Sequence, residues 1–241
     1  VARARLDLEA GQLRNTEIIF TARPKVNGGR HFGSRLLFGP QGYLYITLGE
    51  RGRKQQAQNP RNHMGALVRI NPDGSVPADN PFINEPGKRD KIYSYGHRNI
   101  QGIARQPGTE NIWLHEHGPR GGDEVNIAQK GANYGWPKVT HGIDYDGSII
   151  SKTTSMPGMI DPVIHWTPSI APSGLAFYSG DKFPQWRGDA FAGALAERHL
   201  RYMDVEGEDI VAQYKLLADM NARIRDVRTG PDGYLYVLTD A

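Results

Sequence analysis

Two stretches of the chain gather groups that do chemistry. Gly96-His97-Arg98-Asn99-Ile100-Gln101-Gly102 sets an imidazole, a guanidinium and two amides between glycines. His115-Glu116-His117-Gly118-Pro119-Arg120-Gly121-Gly122-Asp123-Glu124 adds two imidazoles, several carboxylates and a glycine-rich turn. Arginine offers a planar fork of donors suited to carboxylates, while asparagine and glutamine both donate and accept. Turns of this kind can show main-chain carbonyls to a metal and side-chain donors to an anion. If residues 114–117 are extended, His115 and His117 share a face, and a His-x-His pair suits zinc. No third ligand lies nearby, however. The carbonyls of Gly118 and Pro119, with the carboxylates of Asp123 and Glu124, suit a hard, oxygen-seeking ion such as Ca²⁺ better. Both stretches also read as polar turns that satisfy their own backbone, and the residue types leave that choice open.

Three further features carry weaker signals. His31 lies in the loop Asn27-Gly28-Gly29-Arg30-His31-Phe32-Gly33-Ser34, where an imidazole can meet a ligand, although one such histidine is more often a surface-turn residue. Arg223 and Arg225 flank Ile224, so strand alternation aims both guanidiniums to one side. They form either an anion clamp or ordinary ion pairs with Asp219 or Asp226. Trp113, Trp136, Trp166 and Trp186 can stack on a sugar ring, but tryptophans are mostly packed between strands, so none is given that role.

The elements that must position these groups read as short strands. Leu44, Ile46 and Leu48 alternate with Tyr43, Tyr45 and Thr47. The turn Gly39-Pro40-Gln41-Gly42 returns as Gly230-Pro231-Asp232-Gly233, and Tyr-Leu-Tyr follows each. Pro107-Gly108-Thr109-Glu110-Asn111 before Ile112-Trp113-Leu114 is a looser copy, and Asn71-Pro72-Asp73-Gly74 is another turn. A repeated turn-plus-strand unit favours a propeller over a sandwich. Four blade-like regions are predicted near residues 36–70, 91–128, 172–204 and 223–241. Residues 50–65 and 131–169 form long polar connections, where binding surfaces are usually built. The 29 glycines and 16 prolines are spread throughout, and no long amphipathic helix is evident.

Composition narrows the function classes. With 241 residues one all-β domain can bury a substantial core. No apolar run reaches membrane-spanning length, and mean hydropathy is −0.56. A net charge of +3 with interspersed signs does not argue for nucleic acid. The absence of cysteine excludes thiolate zinc sites, disulfides and cysteine nucleophiles. The chain opens on strand-like alternation and stops on another strand, so the expectation is one propeller domain over residues 1–241, incomplete at both ends.

Taken together, the segments resemble the soluble aldose sugar dehydrogenases that use pyrroloquinoline quinone (PQQ), the glucose/sorbosone dehydrogenase family. The resemblance rests on Arg30-His31-Phe32-Gly33-Ser34-Arg35-Leu36, the 96–102 stretch, Glu116-His117-Gly118-Pro119 and Asp123-Glu124-Val125-Asn126. Asn133-Tyr134-Gly135-Trp136-Pro137, Ala171-Pro172-Ser173-Gly174 and Arg223-Ile224-Arg225-Asp226-Val227 follow in the family's order. It implies a six-bladed β-propeller with PQQ in a top-face cleft. His31 and Arg98 are then the catalytic pair, with His31 as general base. Arg98, Asn99, Gln101, His117, Ser169, Arg223 and Arg225 are implied as cofactor contacts. The carbonyls of Gly118 and Pro119 are implied as ligands of the Ca²⁺ that grips PQQ, and Glu124 with the Tyr134 carbonyl as a second, structural Ca²⁺ site. Relatives carry a PQQ-contacting lysine where this chain has Ala196, so the contact set differs there. The implied substrate is an aldose, the electron acceptor a quinone or dye, and the location periplasmic or secreted. Two other readings of the residues stay open, a non-catalytic propeller that binds a partner and a Ca²⁺-dependent lactonase.

Overall fold

The computed structural model describes residues 1–240. Strands account for nearly all its regular structure. β1 (Ala2–Asp7) and β2 (Gln12–Ile18) form a hairpin. A first four-stranded sheet follows, built from β3 (Leu36–Phe38), β4 (Leu44–Thr47), β5 (Ala66–Ile70) and β6 (Ile92–Tyr95). The second contains β7 (Ile100–Arg105), β8 (Ile112–Glu116), β9 (Asp123–Ile127) and β10 (Ile164–Trp166). The third contains β11 (Pro172–Phe177), β12 (Ala190–Ala194), β13 (His199–Glu206) and β14 (Asp209–Leu216). A last hairpin pairs β15 (Arg223–Thr229) with β16 (Leu235–Asp240). Every pairing between neighbouring strands is antiparallel, and no α-helix occurs among the described residues.

The sheets stack as blades. The first strands of successive sheets lie side by side, β3 against β7, β7 against β11 and β11 against β15. Each gap between sheets holds its own core. Tyr45, Leu67, Ile100, Ile103 and Leu114 fill the first gap, and Trp113, Val125, Leu175, Phe177, Ala192 and Met203 the second. Tyr178, Phe191, Leu200, Ile224 and Val227 fill the third. Strands covered on both faces lose the polar alternation of a half-exposed strand. That is why β4, β5, β8, β11 and β12 are buried at every position, whereas the outer β14 alternates with solvent. Close approach near the centre demands small residues. A Cβ on Gly193 of β12 would lie 2.4 Å from the Ile224 carbonyl oxygen.

The repeated turns occupy equivalent places. Residues 39–42 join β3 to β4, residues 106–111 join β7 to β8, and residues 230–234 join β15 to β16. Each closes the innermost hairpin of its sheet. The expected blade limits need correction at three places, one of them the 172–204 region, which runs on through β14 to Leu216. Ile92–Tyr95 pairs with β5 and completes the first sheet, rather than opening the second. Likewise β10, at the end of the 131–169 connection, returns to pair with β9. Both strands follow long excursions, and edge pairing with a distant predecessor leaves no local signature.

Candidate active site

His31 sits at φ 54° in the left-handed region, an uncommon conformation for a residue other than glycine. Gly49 makes that placement possible, since a Cβ there would lie 2.2 Å from the His31 carbonyl oxygen and 2.8 Å from Asn99 Oδ1. The next residue, Glu50, is 2% exposed and places Oε1 2.8 Å from His31 Nδ1. Its Oε2 accepts the Arg53 N–H at 2.8 Å. A carboxylate only accepts, so the imidazole donates from Nδ1, and in the neutral ring Nε2 is then the lone-pair base. Glu50 was not singled out from sequence, because nothing in the local spacing ties it to a histidine nineteen residues earlier.

The β6–β7 connection supplies the cation. Arg98 is buried, and its Nη1 donates to the carbonyls of Gly118 at 2.8 Å and His117 at 3.0 Å. Its guanidinium lies over the Trp136 ring, 5.3 Å from the centroid. Its main-chain N–H donates to Glu116, which also takes His97 Nδ1 at 2.8 Å. His97 is thereby a buried support, stacked on Tyr134 at 4.4 Å. Two N–H donors here lack any partner, Arg98 Nε and Trp136 Nε1. An unpartnered buried donor costs about 1–3 kcal/mol, so the wall they share seeks acceptor oxygens. His31, Glu50, Arg98, Pro119, Trp136 and Tyr145 line one cleft of about 120 Å³. A wider one of about 770 Å³ adjoins it, with Pro119 and Tyr145 in both walls and Ser169 and Ala196 beyond them.

Asn99 Oδ1 accepts Gly33 N–H at 3.1 Å and Gln101 Nε2 at 3.0 Å, which ties the His31 loop to the Arg98 stretch. The His-x-His pair is not a metal pair. His115 Nε2 meets the Gly174 carbonyl at 2.8 Å and His117 Nε2 the Pro172 carbonyl at 2.8 Å, so both imidazoles bind the second sheet to the third. Burial first holds His115 down at about 3 and His117 at about 4. The Arg98 and Arg225 guanidiniums act on His117 in the same direction, which places it near both.

Asp123 is spoken for. Its Oδ1 accepts Gly118 N–H at 2.8 Å, and its Oδ2 accepts Ile170 N–H at 2.8 Å and Ala171 N–H at 3.0 Å. Ser169 Oγ donates to the same carboxylate at 2.7 Å. This carboxylate therefore shapes the Gly118 turn and is not a free metal ligand. Glu124 is different. It faces Glu116 across β8–β9, accepts Asn126 Nδ2 at 3.2 Å, and lies near Asn126 Oδ1, which has no donor. Burial, then Glu116 and Asp123, push its carboxyl up to about 8. Such a spot favours a proton or a cation. Among the described residues no three His, Asp or Glu side chains converge as a metal cage.

Arg223 and Arg225 pair with neither Asp219 nor Asp226. Both reach Asp240, Arg225 Nη2 at 2.7 Å and Arg223 Nη2 at 3.3 Å. Asp226 takes Arg35 and Arg228 instead. One carboxylate against two guanidiniums leaves a surplus positive charge. Neither arginine lines the His31–Arg98 cleft. Of the tryptophans, Trp113 and Trp166 belong to the core, and Trp136 alone lines that cleft.

The meander sheets stack as propeller blades, and a cleft joins an imidazole–carboxylate pair to a buried guanidinium. The family model for glucose/sorbosone dehydrogenase matches residues 1–241, and the chain belongs to that family. It is 49% identical over 242 residues to the aldose sugar dehydrogenase YliI of Escherichia coli K12, covering all of this chain and 65% of that protein. The apo crystal structure of the soluble E. coli aldose sugar dehydrogenase superposes with a TM-score of 0.96 at 48% identity, over 100% of this chain and 70% of that one. The PQQ-bound aldose sugar dehydrogenase of Streptomyces coelicolor gives 0.78 at 30% identity, over 98% of this chain and 64% of that one.

Proposed function

We propose that the protein is a quinoprotein oxidoreductase that oxidises the C1 hydroxyl of aldose sugars to lactones, with PQQ and Ca²⁺ as cofactors. In this reading residues 1–241 belong to a single six-bladed propeller domain. The observation that carries it is the shared cleft, in which the Glu50-bound His31 and the buried Arg98 converge beside unpartnered N–H donors. That donor set fits a ligand rich in acceptor oxygens, as a tricarboxylate ortho-quinone is. The Gly118 carbonyl already faces a cation, the Arg98 guanidinium, and its oxygen suits Ca²⁺ equally.

Arg98, Asn99, Gln101, His117, Ser169, Arg223 and Arg225 hold the cofactor, and the Gly118 and Pro119 carbonyls hold its metal. Glu124 and the Tyr134 carbonyl hold a second Ca²⁺. When bound, Ca²⁺-polarised PQQ supplies the electrophile that accepts the hydride from sugar C1. His31 Nε2 takes the proton of the C1 hydroxyl, and Glu50 stabilises the imidazolium that results through its hydrogen bond at Nδ1. Arg98 keeps positive charge in the cleft throughout, its position fixed by two carbonyls and the Trp136 face.

Dye reduction by the intact protein, with aldoses and with or without PQQ and Ca²⁺, tests the reading. Turnover only when both are added supports it. Lactone hydrolysis without an acceptor, or no PQQ binding, would point instead to the lactonase or to the non-catalytic module.

A further inference from the structure

We propose that Tyr145 is a sugar-binding residue, its ring the platform on which the C–H face of an aldopyranose lies while the C1 hydroxyl reaches His31. The inference rests on the functional reading above and assigns a task to a side chain outside it. Tyr145 is 65% exposed. A large aromatic surface is thus left in water, at the junction of the cleft that holds His31 and Arg98 with the wider one that holds Ser169 and Ala196.

The ring's mount is stiff. Ile143 and Arg120 exchange both main-chain hydrogen bonds, at 3.0 and 3.3 Å, below the loop. Asp144 N–H closes the turn on the Ser148 carbonyl at 2.9 Å. The Asp144 carboxylate then accepts Tyr145 N–H at 2.9 Å and, from the 50–65 connection, Lys54 Nζ at 2.9 Å. The two long polar connections are therefore tied to each other directly beside Tyr145. The phenol oxygen lies 3.4 Å from Arg98 Nη2, at the long limit of a hydrogen bond, and the ring stays exposed.

A rigid aromatic presents contact area at little conformational cost, and it suits a ligand with one apolar face and polar edges. A pyranose has that form, with C–H groups over its face and hydroxyls around its rim. A flat, fully polar ligand would leave the exposed ring without purpose.

The probe is 1,5-anhydroglucitol, which keeps the pyranose face but lacks the C1 hydroxyl and is not oxidised there. It is titrated calorimetrically into the intact protein loaded with PQQ and Ca²⁺, alongside steady-state oxidation of aldoses. Tyr145→Ala is expected to raise both the Kd of the probe and the KM for aldoses about tenfold, with the larger change in KM than in kcat. Tyr145→Phe keeps the ring and is expected to stay close to wild type. An unchanged Kd in Tyr145→Ala, or an equal loss in Tyr145→Phe, overturns the platform. Wild type that loads PQQ yet oxidises no aldose ends the functional reading as well. An active wild type with an unaffected Tyr145→Ala ends this inference alone.

Discussion

Replacing Asp123 by asparagine isolates what one buried carboxylate does for the Gly118 turn. Oδ2 receives Ser169 Oγ, Ile170 N–H and Ala171 N–H, whereas Oδ1 receives Gly118 N–H and shares Ser169 Oγ. An amide has one oxygen. Placed on the Oδ2 side, it keeps the donors from residues 169–171 and turns its NH₂ against Gly118 N–H. The opposite flip would orphan two main-chain donors, so the first orientation wins. The loss is then one buried N–H without an acceptor, about 1–3 kcal/mol. Part of this is offset, because burial holds the Asp123 carboxyl above its ordinary range and a neutral amide escapes that desolvation. At about 2–4 °C per kcal/mol for a chain of this size, Tm should fall by roughly 2–12 °C. Asp123→Ala removes the carboxylate acceptor from all three main-chain donors, leaving only Ala171 N–H a second acceptor in Ser169 Oγ, and should cost clearly more. Calorimetry with and without Ca²⁺ reads both consequences. The rise in Tm on adding Ca²⁺ should shrink in Asp123→Asn, since the loosened turn carries the Gly118 carbonyl. An Asp123→Asn protein with wild-type Tm and a wild-type response to Ca²⁺ would show that the carboxylate does not shape this turn.

Three further outcomes follow from the same contacts. Glu50→Gln lets an amide N–H face His31 Nδ1 and favours the wrong tautomer, so kcat for aldose oxidation should drop roughly 10²–10⁴-fold while PQQ still binds; undiminished turnover would exclude Glu50 as the orienting partner. Glu124 has its folded pKa raised from the ordinary 4.5 to about 8, so its contribution to stability is full below about pH 4.5 and is lost as pH rises toward 8; in chelator, Glu124→Gln should gain Tm over wild type progressively across that window, and a constant gap would contradict it. Buried His115 is held at about 3, below its ordinary 6.5, so its contribution is present above 6.5 and is lost as pH falls toward 3; His115→Gln, which can still donate to the Gly174 carbonyl, should flatten the acid limb of a Tm–pH curve.

The turn repeats made the propeller legible. Gly39-Pro40-Gln41-Gly42 and Gly230-Pro231-Asp232-Gly233 close the same hairpin in two sheets, because the innermost turn faces the same geometric demand each time. The positions of β6 and β10 were hidden, since each pairs only after a long connection. At the site, residue types alone marked Arg98, Asn99 and the Gly118 turn. They could not assign partners. Asp240, rather than Asp226, holds Arg223 and Arg225, because the β15–β16 register sets Arg223 opposite Asp240. Asp123 looked like a metal carboxylate, yet folding surrounds it with main-chain donors from the start of the third sheet. Glu50 and Tyr145 gain meaning only once three loops meet, which no spacing along the chain encodes.

The decisive experiment pairs PQQ titration with aldose-dependent dye reduction on wild type and His31→Ala, both in Ca²⁺. Wild type should bind PQQ and turn over, and His31→Ala should bind PQQ equally well while losing about 10²–10⁴ in rate. Full activity in His31→Ala, or a wild type that fails to bind PQQ at all, would contradict the assignment of this cleft.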